Sequence, residues 1–253
     1  MIELRNVSYS YGGLKALDRV SLAINRGERV ALVGPNASGK STLARIMNAL
    51  LLPCEGECIV DGVDTKADPM HARKAVGMVF QDPDSQIVAR RVVDDVAFGP
   101  RNLGLPEKEV QRRVFEALKA VGLEPDGEAQ RLSGGQKQLL AIAGVLAMRP
   151  SYVILDEPTT FLDCRGSRLV EDAISGLKGL GVVVITHDME EAARADRLVA
   201  LSGGRVVADS TPERFFSDDA QLAMAGVEPP YSFRLRKASI PAPMAHEVVR
   251  SCR

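Results

Sequence analysis

The chain has 253 residues, of which 45% are hydrophobic and 26% charged; that suits one large folded domain or two small ones and excludes a disordered chain. Lys plus Arg is 32 and Asp plus Glu is 33, a formal net charge of -1, so no bulk field draws the protein to nucleic acid or an anionic membrane, and any phosphate binding must come from a local site. The longest apolar run, Leu139 to Met148, is well short of the roughly 20 residues of a membrane span. The opening residues Met1 to Asn6 lack the apolar core of a signal peptide, so the protein is expected in the cytoplasm. Four cysteines, Cys54, Cys58, Cys164 and Cys252, make no pair of CxxC knuckles; reduced and mostly buried thiols are expected rather than structural zinc. The histidines His71, His187 and His246 form no HxxxH or HExxH pattern.

In chain order, Ile2, Leu4 and Val7 begin a strand, and Ser21 to Asn25 alternates apolar and polar residues. After the turn signal Arg26-Gly27, residues Arg29 to Val33 form a short apolar strand leading into a glycine-bearing loop from Gly34 to Gly39. Lys40 to Leu51 reads as a helix with Leu43, Ile46, Met47 and Leu50 on one face, ended by Pro53. Further buried strands are expected at Val76–Phe80, Tyr152–Leu155 and Val182–Ile185. Short β-branched runs separated by helical stretches indicate a parallel sheet covered on both faces. Between about 84 and 150 the texture is helical: Glu107–Val121 spaces Val110, Val114, Phe115, Leu118 and Val121 at helical intervals, and Gln136–Met148 does the same with Leu139, Ile142, Ala143 and Leu146. This stretch reads as an inserted helical subdomain. Leu198–Leu201 and Arg205–Ala208 flank Ser202-Gly203-Gly204 as a hairpin. Beyond about 210 a helical fragment is expected at Pro212–Ala225. A loosely ordered tail follows, broken by Glu228-Pro229-Pro230 and Pro241-Ala242-Pro243.

The chemistry starts with Gly34-Pro35-Asn36-Ala37-Ser38-Gly39-Lys40-Ser41, which fits GxxxxGK[ST] between a strand and a helix. Successive backbone N–H groups must point inward at phosphate oxygens, in conformations glycine reaches cheaply. The helix that follows aims its positive end at the same anion. In this pattern Lys40 spans the β- and γ-phosphates, and Ser41 ligates Mg²⁺. A strand such as Tyr152–Leu155 ending in Asp156 is the matching partner, because a carboxylate there can hold the metal's water shell.

Leu132-Ser133-Gly134-Gly135-Gln136, standing shortly before Asp156-Glu157, completes a set that closely resembles the nucleotide-binding subunit of ATP-binding cassette (ABC) transporters, from about Ile2 to Asp209. The resemblance implies an α/β fold of the P-loop NTPase class: a RecA-like parallel-sheet core with an antiparallel N-terminal part and an inserted helical subdomain. The ATPase domain spans residues 1–210 and the tail 211–253. ATP and Mg²⁺ are the implied ligands, cradled by residues 34–42, Thr42 included. By the same resemblance Tyr11 stacks on adenine, with Tyr9 as the rival on the same strand face. Gln81 touches Mg²⁺ and the attacking water. Ser133, Gly134, Gly135 and Gln136, which could equally be a helix cap, address the γ-phosphate bound to a second subunit. Asp156 serves the metal, Glu157 polarises the water as general base, and His187 fixes base, water and γ-phosphate together. Asp163 contacts the partner subunit. The expected working unit is therefore a dimer, like or unlike, with two nucleotides at its interface.

Two positions depart from the family pattern. Ala37 stands where glycine is usual, at a cost on the order of 1 kcal/mol if the backbone is left-handed there. Phe161 stands where a small residue is usual, which suggests an unlike partner with a complementary gap. The stretch Gln81 to Gln86 with Val93 to Leu105 resembles the ATPases of energy-coupling factor (ECF) importers, cobalt- and nickel-type systems included. That implies ATP hydrolysis driving uptake of a metal ion or vitamin, through a transmembrane coupling subunit and a substrate-capture membrane subunit. The ATPase would sit peripherally on the cytoplasmic face of the cell membrane, with no nucleic acid partner. Val96, Phe98 and Leu103 are candidate groove residues for docking, or else internal packing. The competing readings are the ATPase of another ABC importer or exporter, and a soluble ABC ATPase without a transport role.

Overall fold

A computed structural model describes residues 1–237. Ten strands and ten α-helices occur among these residues. Strands β1 (Ile2–Tyr11), β2 (Leu14–Ile24), β4 (Glu55–Val60) and β5 (Val63–Asp64) make an antiparallel sheet in the order β2-β1-β4-β5. Strands β3 (Arg29–Val33), β6 (Val76–Val79), β7 (Tyr152–Asp156), β8 (Gly181–Ile185), β9 (Arg197–Ser202) and β10 (Arg205–Ser210) make the main sheet, ordered β10-β9-β3-β8-β7-β6. It is parallel from β9 to β6, with β10 added antiparallel at the edge. The helices are α1 (Lys40–Met47), α2 (Pro69–Ala75), α3 (Val92–Asn102), α4 (Glu107–Val121), α5 (Gly134–Ala147), α6 (Cys164–Ser175), α7 (Met189–Ala192), α8 (Pro212–Ser217), α9 (Asp219–Ala225) and α10 (Tyr231–Lys237).

The central strands are short and apolar because both their faces are covered. On β7, Tyr152 and Ile154 pack toward α1 and the antiparallel sheet, while Val153 and Leu155 pack toward α5 and α6. On β8 the same division separates Val183 and Ile185 from Val182 and Val184. A third cluster joins Ala31, Val33, Leu198 and Ala200 to Phe215, Phe216 and Leu222 of α8 and α9. Truncating a buried Ile or Leu to Ala costs about 2–5 kcal/mol, against about 0–1 kcal/mol for an exposed ion pair. These layers, and not the many surface Arg–Glu pairs, therefore hold the domain together. No helix among the described residues is long and apolar enough to cross a membrane.

Several expectations need correction. Helix α1 ends at Met47 rather than Leu51: the Asn48 side chain donates to the Val76 carbonyl, and Ala49 turns left-handed at φ 56° with its carbonyl taken by Arg73. Leu50 then lies exposed instead of continuing the buried face. Helix α4 has the expected limits, but Phe115 is on its outer side, 65% exposed. The fragment at 212–225 is two helices, broken at Asp218, whose side chain caps the second. Helix α10 follows Pro230 where loose chain was expected. Of the described cysteines only Cys58 is buried, its thiol pushed up to about 12 by that burial; Cys54 and Cys164 are exposed. Cys252, His246 and Pro241-Ala242-Pro243 lie outside the described residues.

The two sheets are tied at Asp18 of β2. Its backbone N–H donates to the Gly204 carbonyl at 2.9 Å, and its carboxylate accepts from Lys15 Nζ at 3.0 Å and Arg205 Nε at 2.7 Å. The hydrogen bonds from Lys15 and Arg205 outweigh the opposing effect of burial and hold this carboxyl well below its ordinary 3.8, at about 2. A carboxyl depressed in the folded state contributes stability that is present above its unfolded value and lost as pH falls toward the folded one. Asp18→Asn should therefore be less stable than the unchanged protein at neutral pH, and the difference should close between about pH 4 and pH 2. Urea unfolding at a series of pH values measures it.

Candidate functional site

The loops of the site leave from the carboxyl ends of adjacent parallel strands. Strand β3 runs into the glycine loop, whose two outer glycines are required by close neighbours. A Cβ on Gly34, at φ 138°, would lie 2.0 Å from the Leu201 carbonyl oxygen, and one on Gly39, at φ 105°, 2.6 Å from that of Ala16. The loop is thus wedged between β9 and the start of β2. Ala37 takes φ 61°, so the left-handed backbone anticipated there exists and alanine bears its cost. Pro35, Asn36 and Ala37 are exposed, whereas Ser38 is buried with its hydroxyl lacking any hydrogen-bond partner among the described residues. Helix α1 begins at Lys40 with no side-chain cap and no acidic residue in its first turn. Its N-terminal N–H groups, Ser41 and Thr42 included, are therefore open to an anion.

Lys40 is buried, with Nζ donating to the Gly34 and Pro35 carbonyls at 2.8 and 2.9 Å. Burial lowers its pKa from the ordinary 10.5, opposed by the charges of Glu157 and Asp156. At the end of β7, Asp156 is buried and accepts from Ser41 Oγ at 3.2 Å. Burial lifts this carboxyl above its ordinary value; the Ser41 hydrogen bond acts against the lift and the Glu157 charge adds to it. A cation next to Ser41 and Asp156 would relieve that desolvated carboxylate. The orphaned Ser38 hydroxyl, the uncapped helix end and the Ser41–Asp156 oxygens together suit a polyphosphate with a hard divalent ion such as Mg²⁺.

Glu157 follows with a left-handed backbone, φ 51°, the kind of strain that gathers at working sites. Its carboxylate is the meeting point of three loops. Oε1 lies 2.8 Å from His187 Nε2, which follows β8, and Oε2 accepts from Gln81 Nε2, which follows β6, at 2.9 Å. Oε2 also accepts from Thr160 Oγ1 at 3.1 Å, a contact sequence reasoning missed; a hydroxyl three residues beyond the acid in the same turn was the available signal. Lys40, Ser41, Gln81, Asp156, Glu157 and His187 are thus brought together.

Ser133 to Gln136 are not joined to that cluster. They form a capping box on α5: Ser133 N–H donates to Gln136 Oε1 at 2.9 Å, and Gln136 N–H to Ser133 Oγ at 3.4 Å. The cap reading of this motif is therefore correct as far as it goes. It uses the Gln136 N–H and leaves Gly134 and Gly135 N–H without a side-chain acceptor among the described residues. The turn opens on a separate cleft of about 510 Å³, shared with Phe161, Leu162 and Asp163 and lined by no residue of the glycine loop. Phe161 is 85% exposed at φ 71°. Asp163 caps α6 through Gly166 N–H at 2.6 Å. A Cβ on Gly135 would stand 2.7 Å from the Gly166 Cα, so the two helices touch backbone to backbone.

Tyr11 is 44% exposed and meets Tyr9 edge-on, with ring centroids 4.9 Å apart. Tyr9 packs against the core, leaving Tyr11 as the available ring. In the helical stretch Val96 is fully buried, so it belongs to internal packing; Phe98 is 52% exposed and Leu103 half-buried.

Comparison with known proteins agrees with this arrangement. A family model described as ABC transporter matches residues 17–160. The chain is 47% identical to the energy-coupling factor transporter ATP-binding protein EcfA1 of Symbiobacterium thermophilum, with 96% of this chain and 91% of that one covered. It is 44% identical to the cobalt import ATP-binding protein CbiO of Syntrophus aciditrophicus, covering 91% and 85%. Among solved structures, cbiO1 from Clostridium perfringens, described as part of the ABC transporter complex cbiONQ, superposes with a TM-score of 0.81 at 33% identity, covering 98% of both chains. A dimeric post-hydrolysis state of the ATP-binding cassette MJ0796, with ADP and Pi bound, superposes at 0.73 and 32% identity, covering 84% of this chain and 99% of that one.

Proposed function

The chain belongs to the ABC transporter family, and within it we propose that it is the ATP-binding and ATP-hydrolysing subunit of an energy-coupling factor importer, taking up a metal ion such as cobalt or nickel, or a vitamin. The observation that carries the catalytic half of this reading is the convergence of Gln81, His187 and Thr160 on the Glu157 carboxylate, beside Lys40 and the Ser41–Asp156 pair. The likeness to EcfA1 and CbiO proteins over nearly the whole chain supports the transport half.

In this reading ATP lies along residues 34–42 with its adenine against Tyr11. Lys40 leaves the Gly34 and Pro35 carbonyls for the β- and γ-phosphates. Ser41, Gln81 and Asp156 would hold Mg²⁺, which when bound supplies positive charge against the oxygens of the scissile phosphate. Glu157 orients the attacking water and takes its proton, and His187, which rests on the base in this structure, turns to the γ-phosphate as the site closes. Ser133, Gly134 and Gly135 line a cleft apart from the glycine loop. They therefore serve the γ-phosphate of a second ATPase subunit, like or unlike, and Asp163 and Phe161 meet that subunit too. Closure of the pair around two nucleotides moves helices α3 to α5. A transmembrane coupling subunit, joined to a substrate-capture membrane subunit, docks there, and the ATPase is held peripherally on the cytoplasmic face of the membrane.

Three outcomes test this. Glu157→Gln should keep ATP binding and pair closure while turnover falls by about 10²–10⁴-fold; normal hydrolysis would remove the base assignment. Ser133→Arg should abolish hydrolysis and leave nucleotide binding to the isolated chain unchanged, read by equilibrium titration beside a phosphate-release assay. Affinity capture from detergent-solubilised membranes should recover a second ATPase and the two membrane subunits. Recovery from cytosol alone would point to a soluble ATPase instead.

A further inference from the structure

We propose that Thr160 is a positioning residue for hydrolysis, its hydroxyl being the donor that keeps the Glu157 carboxylate aimed when the other two donors are called away. This rests on the reading of Glu157 as the base. A carboxylate offers about four lone-pair directions, and here three are taken: by His187 on Oε1, and by Gln81 and Thr160 on Oε2. With all three in place the group is pinned but has little left for a water molecule.

The three donors differ in where they are anchored. Gln81 follows β6 and His187 follows β8, so each can separate from Glu157 when its own loop moves. Each also has a second duty in the cycle, Gln81 at the metal and His187 at the γ-phosphate. Thr160 has no such freedom. It lies in the same turn as Glu157, closed by its backbone N–H on the Glu157 carbonyl at 3.3 Å, with its hydroxyl on the carboxylate at 3.1 Å. The turn is bracketed by left-handed backbone at Glu157 and Phe161, which leaves it few alternative shapes. Thr160 therefore travels with the base. Once His187 releases Oε1, that oxygen is open to water while Thr160 holds Oε2 and prevents the side chain from swinging. Free rotation of a glutamate side chain would scatter Oε1 away from the attack direction, and small misplacements of this kind are costly in rate.

The experiment uses the full chain assembled with its partner subunits. Thr160→Val keeps the shape and removes the donor. It should lower kcat by about ten-fold with the KM for ATP within about two-fold, and Thr160→Ser should restore kcat to within about two-fold. In a Glu157→Gln background, adding Thr160→Val should change the residual rate by less than about two-fold, because the two residues act as one unit. Thermal melting and ATP binding report whether each variant is folded; should Thr160→Val fail to fold, Thr160→Ala against Thr160→Ser gives the same comparison. Unchanged kcat in Thr160→Val, full additivity with Glu157→Gln, or equal impairment in Thr160→Ser would each overturn the proposal. If Glu157→Gln alone hydrolyses normally, the base reading falls and this falls with it; if Glu157→Gln is inactive while Thr160→Val turns over normally, only this fails.

Discussion

The site depends on a constraint of parallel sheets: strands that run the same way deliver their following loops to the same edge. Strands β3, β8, β7 and β6 are consecutive neighbours, and they are followed in turn by the glycine loop, His187, Asp156-Glu157 and Gln81. Ligand crevices of open parallel sheets form at that edge. The proposed chemistry needs a lysine, a metal-holding carboxylate, a base and two adjustable polar contacts in one place. The sheet brings them together although they are spread from residue 34 to residue 187. The near-total burial of β7 and β8 is what fixes the edge, since neither strand can slip by one residue without reversing which side chains face each layer.

Charge is managed on the same edge with little water available. Lys40 and Asp156 are both buried, and burial pushes each toward its neutral form. Lys40 is quieted by two backbone carbonyls, and Asp156 by a single serine hydroxyl. Neither makes an ion pair among the described residues. A group kept charged and underpaired in a dry place favours a ligand that brings the missing charge. A triphosphate with its cation would do that for both at once.

Much of this was legible in the sequence, for physical reasons that can be named. The limits of β3 and α4 follow from sharp apolar patterning, and the glycine loop follows from residue types that no ordinary turn requires. The end of α1 was not legible, because the Asn48 side chain bonds to Val76, far away in sequence, and Ala49 adopts a shape alanine rarely takes. The exposure of Phe115 was hidden because periodicity marks a face without saying how wide the buried stripe is. Thr160 looked like one of several loop hydroxyls; only the left-handed turn at Glu157 folds it back onto the carboxylate. The role of Gly135 was masked by its place in a motif expected to face a phosphate, when its hydrogen also admits another helix.

That last point reaches beyond the site. Where α5 and α6 touch at Gly135 and Gly166, no side chain stands between the two backbones, so no side-chain rotation there can take up a change in their spacing. The serine-glycine turn on one helix and the Asp163 loop on the other become a single stiff plate presented to whatever lies opposite. An approaching molecule that engages one half therefore meets the other at a spacing that the two backbones set between themselves.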